Sequence, residues 1–219
     1  MNSHRVIVFT CLCFIWNVNV HSSPPFITPI TVTPDWYPLG PGLSAAVYVI
    51  KTSGNDVYAG GDFQDAGGNP DADYLARWDG CEWHAVGPGL NGPVRAIELS
   101  GGNIYIGGDF TAPFDHIGNW DGTQWNDLGT GLNDVVYTLG VDGTGLYAGG
   151  NFTDAGGNNY GDHIARWDGM IWNPLGEGLN NSVNDLEVSG GIVYAGGWFT
   201  DAGNNAEADV IARWDGMGW

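Results

Sequence analysis

The 219-residue chain is 43% hydrophobic, enough to supply a core, which excludes a disordered polymer. Its 25 Asp and Glu against 6 Lys and Arg give a formal net charge of −19 with no basic stripe, so phosphate backbones and anionic membranes would be repelled. The 37 glycines and 11 prolines approach low-complexity content and require a structural explanation.

At the N-terminus, Arg5 precedes an apolar run from Val6 to Trp16, followed by polar Asn17 and Asn19 and by small residues at Ser22 and Ser23. This layout predicts a secretory signal peptide over residues 1–22 and a linker over 23–35, and the run is too short to span a bilayer. A secreted or cell-surface protein is expected. Cleavage would remove Cys11 and Cys13 and leave Cys81 alone, so the sequence predicts a mature domain without an intrachain disulfide.

From Trp36 onward the chain repeats. A "YAGG" or "YIGG" motif begins at Tyr58, Tyr105, Tyr147 and Tyr194, at spacings of 47, 42 and 47 residues. A "WDG" motif begins at Trp78, Trp120, Trp167 and Trp214, and a second tryptophan follows five residues later at Trp83, Trp125, Trp172 and Trp219. Four short extended segments per period, punctuated by Gly, Asp and Asn, predict four-stranded antiparallel blades. The expected fold is therefore all-β, a β-propeller region spanning residues 36–219.

Within each unit the first segment holds a valine (Val47, Val94, Val136, Val183) and, three residues on, Ile50, Ile97, Leu139 or Leu186. Charged residues are confined to the other positions of the segment, as expected of an inner strand beside a narrow polar channel. The second segment carries a glycine pair, Gly60–Gly61, Gly107–Gly108, Gly149–Gly150 and Gly196–Gly197, expected to let neighbouring backbone or aromatic groups approach closely. The third and fourth segments flank the "WDGxxW" turn, whose tryptophans are expected to brace the adjacent blade. From the second glycine to the "WDG" tryptophan the interval is 17 residues in units one, three and four but 12 in unit two. The stretch that unit two lacks, Gln64 to Asp73 in unit one, is accordingly predicted to be a surface loop outside the core.

These residues resemble kelch-like propellers, in which an apolar strand ends in a double glycine and tryptophan follows. The wording "GGxFTxAGG…IARWDGxxW" is more closely similar to repeats of exported bacterial surface proteins and of fungal cortical cell-polarity markers. The resemblance implies a scaffold, mostly non-catalytic, and does not imply a ligand. Unit two departs from it by the short loop and by Asn119 where the others have Arg77, Arg166 and Arg213. Because Trp36 repeats the column of Trp219, a partial ring from a longer protein is expected rather than a closed four-bladed one.

Asp65, Asn69, Asp71 and Asp73 place oxygen donors in one loop and form a calcium candidate, although an acidic twelfth position is missing and the counterpart loops carry fewer acids. A solvated turn is the stronger reading, and no other cofactor is expected. The "WDG" aspartates (Asp79, Asp121, Asp168, Asp215) recur once per blade, which points to turn chemistry rather than catalysis. Arg77, Arg166 and Arg213 are expected to stack on tryptophan and pair with acids. His84, His116 and His163 are read as occupying different repeat columns, without a shared metal. The sequons at Asn151 and Asn180 carry little weight. The leading expectation is an exported module binding a protein or glycan through its loops, with no nucleic-acid partner and no membrane insertion. The rival is an extracellular carbohydrate-active hydrolase or lyase.

Overall fold

In the computed structural model, residues 36–157 and 160–219 are described, so the predicted signal peptide and linker lie outside the described residues. Among the described residues fifteen strands form four consecutive antiparallel sheets. The first contains β1 (Val47–Ser53), β2 (Asp56–Gly61), β3 (Leu75–Trp78) and β4 (Trp83–Ala85). The second contains β5 (Val94–Ser100), β6 (Asn103–Gly108), β7 (Ile117–Trp120) and β8 (Trp125–Asn126). The third contains β9 (Val136–Asp142), β10 (Gly145–Gly150), β11 (Ile164–Trp167) and β12 (Trp172–Pro174). The last, β13 (Val183–Ser189), β14 (Ile192–Gly197) and β15 (Ile211–Trp214), is three-stranded, so the expected all-β array of antiparallel blades is present. Trp219, in the column that opens the outer strand elsewhere, is the last residue.

Strands pair in sequence order because each hairpin has turn residues suited to it. The glycine of every "WDG" has φ between +93° and +102°, a backbone region that side-chain-bearing residues rarely adopt. The aspartate before it accepts two turn amides with one oxygen: Asp121 Oδ1, for instance, takes the N–H of Thr123 at 2.8 Å and of Gln124 at 2.9 Å. The expected turn chemistry is present in all four units. Across each turn the tryptophans meet at 5.3–5.7 Å between ring centroids. The preceding linker then crosses them, with Gly40, Gly87, Gly129 and Gly176 against the four pairs. Leu39, Leu128 and Leu175 carbonyls accept the indole N–H of Trp83, Trp172 and Trp219. The tryptophans thus tie each blade to the chain that enters it.

The blades associate in series, β1 against β5, β5 against β9 and β9 against β13. Phe63, Phe110, Phe152 and Phe199 are fully buried, one per blade. The arc is open at both ends. Ile50, Ile211 and Trp198, on the first and last blades, are exposed, whereas Ile97, Leu139, Leu186, Leu75, Ile117 and Ile164 in the equivalent columns between blades are buried.

The long loops correct one expectation. In units one, three and four each folds into a 3-10 turn (Ala66–Gly68, Ala155–Gly157, Ala202–Asn204) whose alanine is buried in a core cluster. The loop is therefore partly core, because a small apolar side chain faces inward while the acids face out. Unit two substitutes Phe114, which packs edge-to-face on Phe110 at 5.4 Å and against Trp125 at 5.2 Å. Gly118 stands where the other units have alanine because the Phe114 ring occupies the place of its Cβ.

Candidate functional site

Each inner strand has a β-bulge at its second residue, where the register slips between Val47 and Val49, Val94 and Ala96, Val136 and Thr138, and Val183 and Asp185. A bulge leaves one residue outside the ladder and re-aims its side chain. The four residues so released, Tyr48, Arg95, Tyr137 and Asn184, together line an axial depression of about 360 Å³. They stand at the linker ends of the inner strands. The long loops lie at that same end, since Ser44 bonds Gln64 and Asn133 and Asn180 bond Thr153 and Thr200.

Arg95 is the only cation in its column. Its guanidinium donates to Asp109 through Nε (2.9 and 3.0 Å) and Nη2 (2.7 Å) and lies over the rings of Tyr48 and Tyr137 at 5.2 and 5.6 Å. The Asp109 hydrogen bonds hold its pKa above the ordinary arginine value. Among the described residues, Nη1 has no hydrogen-bond partner. The group can thus offer three guanidinium N–H groups, two of them on Nη1, together with two tyrosine hydroxyls and an amide to a polar ligand, with aromatic faces on both sides. Sequence reading anticipated a polar channel beside the inner strands but missed Arg95 and Asp109. The available signal was the Tyr, Arg, Tyr, Asn column, one of two variable columns between the constant Val and Ile/Leu ones.

The calcium candidates are not gathered into one ligand set. Asp73 Oδ1 accepts the Asp65 N–H at 2.8 Å and Asn69 Oδ1 accepts the Asp71 N–H at 3.1 Å, so both act as loop caps. The Asp73 contact recurs as Asp162 on Asp154 and Asp209 on Asp201. Among the described residues the one group of three potential ligands is Asp79, Glu82 and His84, in a hairpin turn where Asp79 already caps two amides and bonds His84 at 2.7 Å.

Other expectations from the sequence meet the structure in different ways. Cys81 is disulfide-bonded, while Cys11 and Cys13, on which the expectation for a cleaved chain turns, lie outside the described residues. His116 and His163 share a column after all, at φ of +59° and +60° with their N–H groups on the carbonyls of Phe110 and Phe152. Burial pushes the His163 imidazole below its ordinary range. Arg77 does pair with an acid, Asp56, at 3.0 Å, but Arg166 donates to the Thr144 carbonyl, and among the described residues the arginine–ring contacts belong to Arg95. The sequon amides are engaged, Asn151 on Asp134 and Asn180 on Thr200.

The "WDG" aspartates all have pKa values lowered from the ordinary carboxylate range. The turn N–H of Glu82 acts first on Asp79, the Thr123 hydroxyl on Asp121, the N–H of Ile171 on Asp168 and that of Met217 on Asp215. A carboxyl whose folded pKa lies below its unfolded value stabilises the fold fully above the unfolded pKa, and this contribution is lost as pH falls through the folded one. The thermal midpoint is therefore expected to hold above about pH 4, near the unfolded aspartate pKa, and to drop steadily below it. Asp121→Asn is expected to flatten that acid limb when circular dichroism melts are taken across pH. An acid limb identical in wild type and variant would remove the assignment.

No protein-family model and no curated protein sequence matches the chain. Among solved structures, the crystal structure of the computationally designed Ika4 protein is similar, with TM-score 0.52 and 17% identity over 80% of this chain and 94% of that one. The computationally designed Ika8 protein is also similar, with TM-score 0.45 and 17% identity over 82% of this chain and 62% of that one. At these identities the likeness to Ika4 concerns the fold alone.

Proposed function

We propose that the chain is a non-catalytic, exported, kelch-like propeller module that holds a protein or glycan partner at the end where its long loops surround the axial depression. The observation that carries this reading is how the acids are used. Asp73, Asp162 and Asp209 in the three long loops and the four "WDG" aspartates, one per blade, each accept backbone N–H groups of their own loop or turn, while a hydrolase or lyase needs carboxylates converging on one reacting bond.

The tryptophans support the same reading. Trp78, Trp83, Trp120, Trp125, Trp167, Trp172, Trp214 and Trp219 are committed to paired contacts within blades, and so do not serve as sugar platforms. Arg95, with its tyrosines and Asp109, supplies a fixed polar anchor, and a rigid array behind the loops leaves their outer residues free to vary. The signal-peptide layout supports export. Among the described residues no helix is long and apolar enough to cross a membrane.

The test pairs binding with turnover on a panel of neutral and acidic polysaccharides and surface proteins. The expected result is retention of one partner class in affinity electrophoresis, weakened by Arg95→Met, with no release of reducing or unsaturated sugar ends. Sustained release of such ends, abolished by one acidic substitution, would replace this reading with the enzyme.

A further inference from the structure

One cation stands among acids at the end of the array where the long loops gather. Arg95 lines the axial depression from the bulge of β5, and the strands β1 and β9 stand on either side of β5, so its setting is fixed by joints inside the array. The other described cations lie toward the opposite end. Lys51 bonds Glu98 at 2.6 Å past the bulges, while Arg77 reaches Asp56 and Arg166 the Thr144 carbonyl beside the far hairpins, and Arg213 follows them in column. The loops at the near end expose Asp62, Asp65, Asp71, Asp115, Asp154 and Asp201.

Asp109 takes the side edge of the Arg95 guanidinium, accepting from Nε at 2.9 and 3.0 Å and from Nη2 at 2.7 Å. The end edge, where one N–H of Nη1 and one of Nη2 run parallel, has no partner among the described residues. Such a fork matches the two oxygens of a carboxylate, which only accepts. The rings of Tyr48 and Tyr137, at 5.2 and 5.6 Å, hold the guanidinium in place, and its side chain is still 35% exposed. The edge is therefore fixed before a ligand arrives and open to one. The depression, about 360 Å³, has room for a side chain or a chain end.

Charge then selects what carries the carboxylate. A polyanionic glycan would bring further negative groups against the exposed loop acids, and a neutral glycan would leave the fork without an anion. A protein segment with lysine or arginine around one carboxylate matches both the centre and the rim. We infer that the axial site takes a carboxylate presented within a basic segment of a protein partner, seated on the Nη1–Nη2 edge of Arg95 with its flanking cations among the loop acids. This rests on the module reading above and narrows its partner.

The test uses the full chain and short labelled lysine–glycine peptides, with affinity read by fluorescence anisotropy. A peptide with a free C-terminal carboxylate, or a C-terminal amide carrying one internal glutamate, is expected to bind at least about tenfold more tightly than the plain amide, as a hydrogen bond to a charged group requires. The tighter of the two tells a chain end from a side chain as the source. Binding of all three is expected to weaken as salt rises from about 0.05 to about 0.5 M, because the exposed acids are screened. Arg95→Met uncovers Asp109, so Arg95→Met with Asp109→Asn is measured beside it. In both variants the carboxylate preference is expected to vanish with the circular dichroism spectrum unchanged. A preference that survives in either variant, or a wild-type chain that binds acid and amide alike or neither, would overturn the inference. Tighter retention of a neutral or acidic polysaccharide, weakened by Arg95→Met, would overturn it and leave the module reading standing. Release of sugar ends would overturn both.

Discussion

Phe152→Ala is expected to destabilise the chain by about 3–5 kcal/mol, the usual range for emptying a large aromatic site in a core. Phe152 is fully buried in the third blade and packs in one cluster with Ile117, Leu128, Leu132, Val136 and Trp172, so it joins the second blade to the third. Of these neighbours Ile117, Val136 and Trp172 belong to hydrogen-bonded strands with little freedom to collapse, which places the loss toward the upper end. Against a total stability of about 5–15 kcal/mol this is a large fraction. Urea titration followed by tryptophan fluorescence reads it directly. Met170→Ala, 82% exposed on the "WDG" turn of the same blade, is the control and is expected within about 0.5 kcal/mol of wild type. Equal midpoints for the two variants would mean that the phenylalanine column does not hold the blades together.

Gly149→Val is the second large effect. The added Cβ would lie 2.6 Å from Val183 Cγ1 and 2.8 Å from Thr138 Cγ2, on two strands fixed by their own ladders. Relief requires the third and fourth blades to separate, which also exposes Leu186 and the Thr138 hydroxyl that accepts the Leu186 N–H at 3.2 Å. Overpacking of a filled site costs about 1–3 kcal/mol and more when backbone must move, so a loss of about 3 kcal/mol is expected. The same change at Gly196 is expected to leave the fold intact, because no neighbouring blade faces it among the described residues. The pair of substitutions separates a packing role for these glycines from a general intolerance of valine in the strand. Equal losses at both positions would show the second.

Much of this architecture was legible in the sequence because the features that build it recur. Turn glycines, paired tryptophans and the glycine of close approach fall in fixed columns, and a column seen four times identifies its own physical cause. The loop was misjudged for a corresponding reason. Length variation between Gly61 and Trp78 signalled a surface excursion, but the buried Ala66 is small and gives no hydrophobic signal of its own. In unit two the same place is filled by Phe114, from a different point in the chain.

The axial site was harder to read because it is made of differences. A bulge at the second residue of each inner strand turns Tyr48, Arg95, Tyr137 and Asn184 toward one depression, and nothing in single-strand periodicity marks a bulge. Asp109, which orients Arg95, follows the glycine pair in a column that also holds Asp62, Asn151 and Trp198, so only the fold shows which member has an arginine in reach. The three-stranded last blade and the exposed terminal faces were legible in part, through the shared column of Trp36 and Trp219.

Four blades stack in series into an arc whose two end faces are exposed among the described residues. Hydroxyl-radical footprinting of the chain, read by mass spectrometry residue by residue, tests this arrangement most directly. The account predicts heavy labelling of Ile50, Ile211 and Trp198 beside strong protection of Ile97, Ile164 and Phe152. Protection of Ile50 and Ile211 equal to that of Ile97 and Ile164 in a single-chain species would contradict it, because the four blades would then have closed on themselves.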